Sequence, residues 1–442
     1  MQHTAFNLVA IAACLVSPLA APLSAQEIEG TLDEPAAEPA PLTPEMQAAL
    51  AALEVAPVFD GHNDVPIQLR SRFKNQINGF DFEDTSHTGA SDYGARTMHT
   101  DLARLAEGRV GAQYWSVYVP ASLSEPEAVQ ATIEQIDVTK RLIARYPDNL
   151  ALALTADDVE NAIASGKVAS MLGMEGGHSI GSSLAVLRQM YALGARYLTL
   201  THSANTPWAD SATDDPEHGG LSEFGKDVVR EMNRIGMLVD LSHVSEETMM
   251  DALDVAGAPV IFSHSGARAV NGHARNVPDS VLARLPENGG IVMVVALPGF
   301  LNEDQRQWLA AREAEEARQN SLFRGQPDVV KRAMAEWDAG NPMPETDVSV
   351  MADHIDHIRE IAGVEYIGIG GDFDGMPSGP VGFEDVSGYP QLFAELARRG
   401  YSQVEMELIA SRNVIRVLRE AERYAARNAD RLPIETILPT ED

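Results

Sequence analysis

The stretch "APVFDGHNDVP" ends an apolar run on a histidine and a carboxylate two residues apart, His62 and Asp64. On an extended strand, residues separated by one point the same way, so this pair can grip one cation. Other apolar runs end alike: Glu175 closes "VASMLGME", His202 "RYLTLTH", His243 "MLVDLSH" and His264 "PVIFSH", and Asp372 is the first carboxylate of "YIGIGGDFD". Alone, each has a plain structural use, since a strand-end histidine can hold a hydrogen bond and a glutamate before Gly-Gly can cap a turn. Converging on one place, they would be costly to desolvate without a cation to share. Imidazole nitrogens and carboxylate oxygens with no thiolate suit zinc or another divalent transition metal. One ion would leave donors unused. His62 and Asp64 can serve one, His243 and His264 a second, and the two oxygens of Glu175 can bridge them. Two dications about 3.5 Å apart hold a hydroxide between them and polarise a carbonyl, which is hydrolytic chemistry.

Convergence requires a fold that brings these run ends together. From Val55 onward, short β-branched or apolar runs alternate with longer helical patterns, the signature of βα units on a parallel sheet. The runs are "VAPVFDGH", "AQYWSVYV", "VASMLGME", "RYLTLTH", "MLVDLSH", "PVIFSH", "GIVMVVALP" and "YIGIGGDFD". Eight such units close a (β/α)8 barrel, in which all these polar residues project at the C-terminal rim. Ser245 before "EETMMDALDV", Gly236 after "DVVREMNRI" and the capping-box spacing of Ser402 and Glu405 mark helix ends. Between the seventh and eighth runs lies a polar, helix-patterned insertion, Asn302 to Asp347, expected over the barrel mouth.

Charge and cysteine narrow the setting. The 442 residues carry 65 acidic against 33 basic side chains, a net charge of -32 that disfavours nucleic acid and anionic lipid as partners. The single cysteine, Cys14, lies in an apolar segment that reads as a signal peptide cleaved after Ala25, although its first residues lack the usual Lys or Arg. Lipoprotein-type processing at Cys14 is the competing reading, disfavoured by the short apolar stretch before it. Cleavage at Ala25 makes the protein secreted or periplasmic and leaves it without a disulfide or a thiol nucleophile. Residues 26–42 read as an acidic, Pro-rich linker and 43–442 as the barrel domain.

The segments "DGHND", "GAQYWSVYVP", "GMEGGHSI", "LTLTHSANTPWADSA", "GLSEFGKDVVREMNRIGMLVDLSHVSEETMMDAL", "PVIFSHSGARAVNGHARNVPD" and "IGIGGDFDG" together resemble the membrane (renal-type) dipeptidases, the M19 metallopeptidases of the amidohydrolase-like barrels. The resemblance spans roughly Val55 to Tyr424. It implies a dipeptidase with two zinc ions, one on His62, Asp64 and Glu175 and the other on Glu175, His243 and His264. It further implies His202 beside the substrate carbonyl, Arg275 as the clamp on the terminal carboxylate, and Asp372 as the proton-handling group facing the substrate amine. Asp374 is the substitute for Asp372 if the side-chain alternation is off by one. It also suggests a homodimer.

Without the resemblance, Arg275 reads as a surface charge beside Arg268 and His273. His178 reads as structural, His99, His218, His354 and His357 as loop or helix-face residues, and Trp115 and Tyr118 as core packing. The chain departs from the animal-membrane members in lacking their cysteines and ending in the polar "RLPIETILPTED", so it resembles the secreted bacterial branch. Phe300 stands where some members place an aromatic hydroxyl, which bears on side-chain preference. The rival on the same site is a hydrolase of other amides, lactones or β-lactams. A binding or scaffold protein that keeps a metal only for stability would not need His202 and Asp372 as well.

Overall fold

The computed structural model describes residues 41–89 and 97–438. The leader, Cys14 and residues 26–40 of the linker lie outside the described residues. The first helix, Pro44–Val55, begins where Thr43 accepts a hydrogen bond from the Met46 amide at 3.2 Å, with proline in its opening turn.

Nine strands follow among the described residues: β1 (Val58–Asn63), β2 (Val110–Ser116), β3 (Leu150–Leu152), β4 (Val168–Glu175), β5 (Ala195–Thr199), β6 (Leu238–Asp240), β7 (Ile261–Ser265), β8 (Ile291–Val294) and β9 (Ile367–Ile369). Every pairing is parallel. Eight strands form a closed ring in the order β1, β2, β4, β5, β6, β7, β8, β9, with Asp60 of β1 meeting Ile369 of β9 at the seam. The result is a (β/α)8 barrel. β3, absent from the eight sequence runs, pairs only with the first residues of β4 and stands outside the ring. The barrel strands are buried along their whole length, which explains why they read as continuous apolar runs and not as alternating ones.

Phe59, Tyr114, Met171, Tyr197 and Met293 pack together in one apolar cluster, and a larger one joins further strand residues to the helices. The sequence-expected helix starts hold, as does the stop at Gly236, while the helix that Ser245 opens ends at Val255, two residues before the Gly257 that the sequence marks as its stop. Ser222 caps Glu223–Ile235, which stops at Gly236 with φ 83°; Ser245 caps Glu246–Val255; and Ser402 and Glu405 exchange a capping box.

The insertion is a helical hairpin of Glu303–Leu322 and Pro327–Gly340. Its arms are held by Trp308 against Trp337, ring centroids 5.6 Å apart, and by a two-pronged Arg312–Asp338 pair at 2.8 and 3.0 Å. Glu303 accepts from the Gly272 amide at 3.0 Å, which ties the hairpin to the loop after β7.

Candidate metal centre

Each strand end delivers its side chain for a local reason. Asp60 fixes the end of β1, because its carboxylate accepts from the His62 amide at 3.1 Å, the Gly371 amide at 2.8 Å and the Tyr389 hydroxyl at 2.5 Å. The backbone at the site is unusual for residues with a Cβ: His243, Asp372 and Asp374 have φ of 69°, 62° and 67°, in the sparsely populated left-handed region. Space is also tight. A Cβ on Gly375 would lie 2.1 Å from Asp64 Oδ2 and 2.6 Å from Asp372 Oδ1, so only glycine lets both carboxylates stand there.

The side chains meet around Glu175. Its Oε2 lies 3.4 Å from His62 Nε2, which is itself 3.3 Å from Asp64 Oδ2. Its Oε1 lies 3.0 Å from His243 Nε2, 3.4 Å from His264 Nε2 and 3.7 Å from His202 Nε2. Ligating atoms of His62, Asp64 and Glu175 all lie within 4.8 Å of one another, as do those of Glu175, His243 and His264, and those of His62, His264 and Asp372.

Two features show that these residues fit a metal. His62 Nε2 is buried without a hydrogen-bond partner, although two carboxylate oxygens stand within 3.4 Å. The Nε2 atoms of His243 and His264 face each other at 3.0 Å, where a shared cation suits both lone pairs better than one imidazole donating to the other. The outer nitrogens are oriented as metal-bound imidazoles require: His62 Nδ1 meets the Tyr197 hydroxyl and His264 Nδ1 the Ser263 hydroxyl, each at 2.8 Å. Ser116 donates to Glu175 Oε2 at 3.1 Å. Asp240 binds Thr199, Ser242 and Ser263, lacing β5, β6 and β7 beneath the ligands.

Asp64, Glu175, His202, His243, His264, Arg275 and Asp372 line one cavity of about 340 Å³, together with Ile67, Tyr118, Leu297 and Phe300. Arg275, which sequence alone would put on the surface, is buried, with its Nη1 3.4 Å from the Ser265 hydroxyl and its Nη2 donating to the His264 carbonyl at 3.2 Å. Its Nε is buried and has no hydrogen-bond partner among the described residues. Burial draws its pKa down to about 10, so it stays cationic near neutral pH. Burial also lowers His202 to about 4, leaving a neutral imidazole. Asp372 is pushed well above the usual carboxylate range by burial and then by the charges of Asp64 and Glu175. Burial raises Glu175 too, but His62 and the hydrogen bonds from His243 and His264 outweigh it and hold the carboxyl well below its ordinary value.

Asp374 turns the other way, accepting from the His99 amide at 2.8 Å, so Asp372 is the carboxylate that reaches the cavity. Two histidines taken as loop or helix-face residues are core parts: His99 is buried against Asp374, and His354 spans the Ala267 amide and the Leu301 carbonyl. His178 is structural as expected, bonding the Val119 carbonyl at 3.0 Å. Trp115 is core, whereas Tyr118 lines the cavity. Sequence reasoning missed Tyr197, Asp240 and Ser263. A lone Asp inside "MLVDLSH" was the one signal available.

A closed parallel barrel with buried imidazoles and carboxylates clustered at its C-terminal rim is the architecture of metal-dependent barrel hydrolases. The chain matches the family model for membrane dipeptidase (peptidase family M19) over residues 46–431. It belongs to that family. It is 40% identical over 398 residues to Dipeptidase 3 of Mus musculus, covering 89% of this chain and 70% of that one. Among solved structures, the probable dipeptidase PvdM from Pseudomonas aeruginosa superposes with a TM-score of 0.72 at 24% identity, covering 86% of this chain and 99% of that chain. A metallopeptidase from Rhodobacter sphaeroides, solved with a phosphinate mimic of the dipeptide L-Ala-D-Ala, gives a TM-score of 0.67 at 25% identity, covering 83% and 99%.

Proposed function

We propose that this protein is a dinuclear zinc dipeptidase. The observation that carries the proposal is Glu175, whose Oε2 faces His62 and whose Oε1 faces His243 and His264. His62, Asp64 and Glu175 would hold one ion, and Glu175, His243 and His264 the other. Bound there, two dications would supply an activated water and polarise the scissile carbonyl. The Rhodobacter relative's dipeptide mimic and the mouse relative's name support dipeptides as substrates.

The chain's own groups bind, orient and move protons. Arg275 holds the substrate's terminal carboxylate with its guanidinium at the cavity wall, which fixes the register of the peptide bond. His202, neutral and within the cavity, donates an N–H to the carbonyl oxygen as negative charge develops on it. Asp372 faces the amino end, and its raised pKa lets it hold a proton and pass it to the leaving amine nitrogen.

The test is elemental analysis of the purified protein, paired with hydrolysis of a small dipeptide panel before and after chelation. Close to two zinc ions per chain with chelator-sensitive cleavage is expected. Metal without dipeptide cleavage would move the substrate to other amides, lactones or β-lactams, and absence of metal would refute the centre.

We also propose export with cleavage after Ala25, against processing at Cys14, supported by the apolar leader in the sequence. The mass of the mature N-terminal peptide separates the two. A homodimer rests on the family resemblance, and sedimentation analysis reads it directly.

A further inference from the structure

We propose that the substrate pocket extends past Phe300 into a second, apolar cavity built by the insertion hairpin, and that this cavity receives a bulky apolar side chain on the substrate's C-terminal residue. The proposal rests on the dipeptidase reading above and names the substrate class within it.

The second cavity, of about 480 Å³, is walled by the stretch after β8 and by the first hairpin helix, Glu303–Leu322. Leu297 and Phe300 line both it and the cavity of the metal centre. The two spaces therefore share a wall, and both wall residues are half-buried. Leu309 and Met343 also line the second cavity, yet 43% and 50% of their surfaces are exposed, a cost that an apolar occupant would remove. The charge on this wall does not favour a charged guest. Arg306 is already paired with Glu303 at 2.8 and 2.5 Å, and Glu313 opposes an acidic one.

Position decides which residue of the substrate enters. Phe300 is held between the Arg275 guanidinium, 5.3 Å from its ring centroid, and the His273 ring, with centroids 4.4 Å apart. Arg275 binds the terminal carboxylate in the reading above. The side chain one bond from that carboxylate belongs to the C-terminal residue, so it is the one that meets Phe300 and the cavity beyond it. The amino-terminal residue extends from the other side of the scissile bond, where the reading above has Asp372 meet the amino group.

The experiment measures kcat/KM of the zinc-loaded full protein for Gly-Ala, Gly-Leu and Gly-Phe, in the unmodified protein and in L309R and F300A. Leu309 lies inside a helix that arginine suits, and circular dichroism checks the fold. The unmodified protein is expected to prefer Gly-Leu and Gly-Phe over Gly-Ala. L309R should cut that preference by about 10-fold or more, the scale of one or two methylenes in an apolar pocket. F300A should shift the preference toward Gly-Phe, read as a ratio because Phe300 also packs on Arg275. Robust Gly-Ala cleavage with no preference, or an L309R variant that keeps the full preference, overturns this proposal alone. No cleavage of any dipeptide by the metal-loaded protein overturns the dipeptidase reading and this proposal with it.

Discussion

Replacing Arg275 by methionine keeps an unbranched apolar stem and deletes the guanidinium. In the structure that group is only 2% exposed, and its contacts within the protein are thin, a 3.4 Å approach to the Ser265 hydroxyl and a 3.2 Å bond to the His264 carbonyl, with Nε unpartnered. A buried, thinly bonded cation in the wall of a cavity is poised for an anion. One charge-assisted hydrogen bond to a carboxylate contributes about 1.5–3 kcal/mol, a factor of roughly 10–150. The unmodified protein should therefore favour Gly-Leu over its C-terminal amide by about that factor, and Arg275→Met should abolish the advantage by slowing only the free dipeptide. Because the carboxylate is held both before and during reaction, the loss should fall on KM more than on kcat. Steady-state kinetics of both proteins on the two substrates gives the kcat and KM values needed. Elemental analysis checks that the end of β7, which the guanidinium also touches, still holds metal. Equal rates for acid and amide in the unmodified protein, or a variant that keeps the preference, would refute the reasoning.

Asp372→Asn keeps the shape of a side chain that lines the cavity but removes its transferable proton, so metal content should persist while kcat falls about 100-fold or more; unchanged turnover sinks the assignment. Tyr197→Phe deletes the hydroxyl 2.8 Å from His62 Nδ1 and should weaken metal binding roughly 10–100-fold in competition with a chromogenic chelator, and an unaltered affinity would show that this bond orients nothing. His354→Leu strands the Ala267 amide and the Leu301 carbonyl, each bonded at 2.8 and 3.0 Å respectively. Each orphaned group costs about 1–3 kcal/mol, so urea unfolding should show a lower midpoint, whereas an equal midpoint would mean that water replaces the imidazole.

The residues legible from sequence are those whose role depends only on strand direction. His62, Asp64, Glu175, His243 and His264 each follow an apolar run, and in a parallel barrel every such run ends at one rim, so their meeting could be stated before any coordinates. Arg275 was not legible from its own surroundings. Its neighbours Arg268 and His273 suggest a surface, whereas the fold sets it against the end of β7 and the Phe300 ring, where it is buried. Tyr197 reads as a core aromatic, because its partner His62 is 135 residues away. His99 and His354 look like ordinary polar positions until the loops they bind are brought against them.

The sequence by itself determined the chemistry on offer and the architecture: imidazole and carboxylate donors without a thiol near them, at the ends of six of the eight runs that alternate with helices. Side-chain type and chain direction are local properties, and a parallel barrel converts them into a shared rim. Tertiary structure decided what depends on distances between segments. It chose Asp372 over Asp374, which alternation could not do, because β9 ends at Ile369 and both aspartates sit at positive φ where the period of two no longer applies. It also divided the two oxygens of Glu175 between two donor sets, and set the insertion hairpin beside Phe300. Those outcomes follow from how helices and loops far apart in the chain fill the space around the barrel mouth, which no single segment encodes.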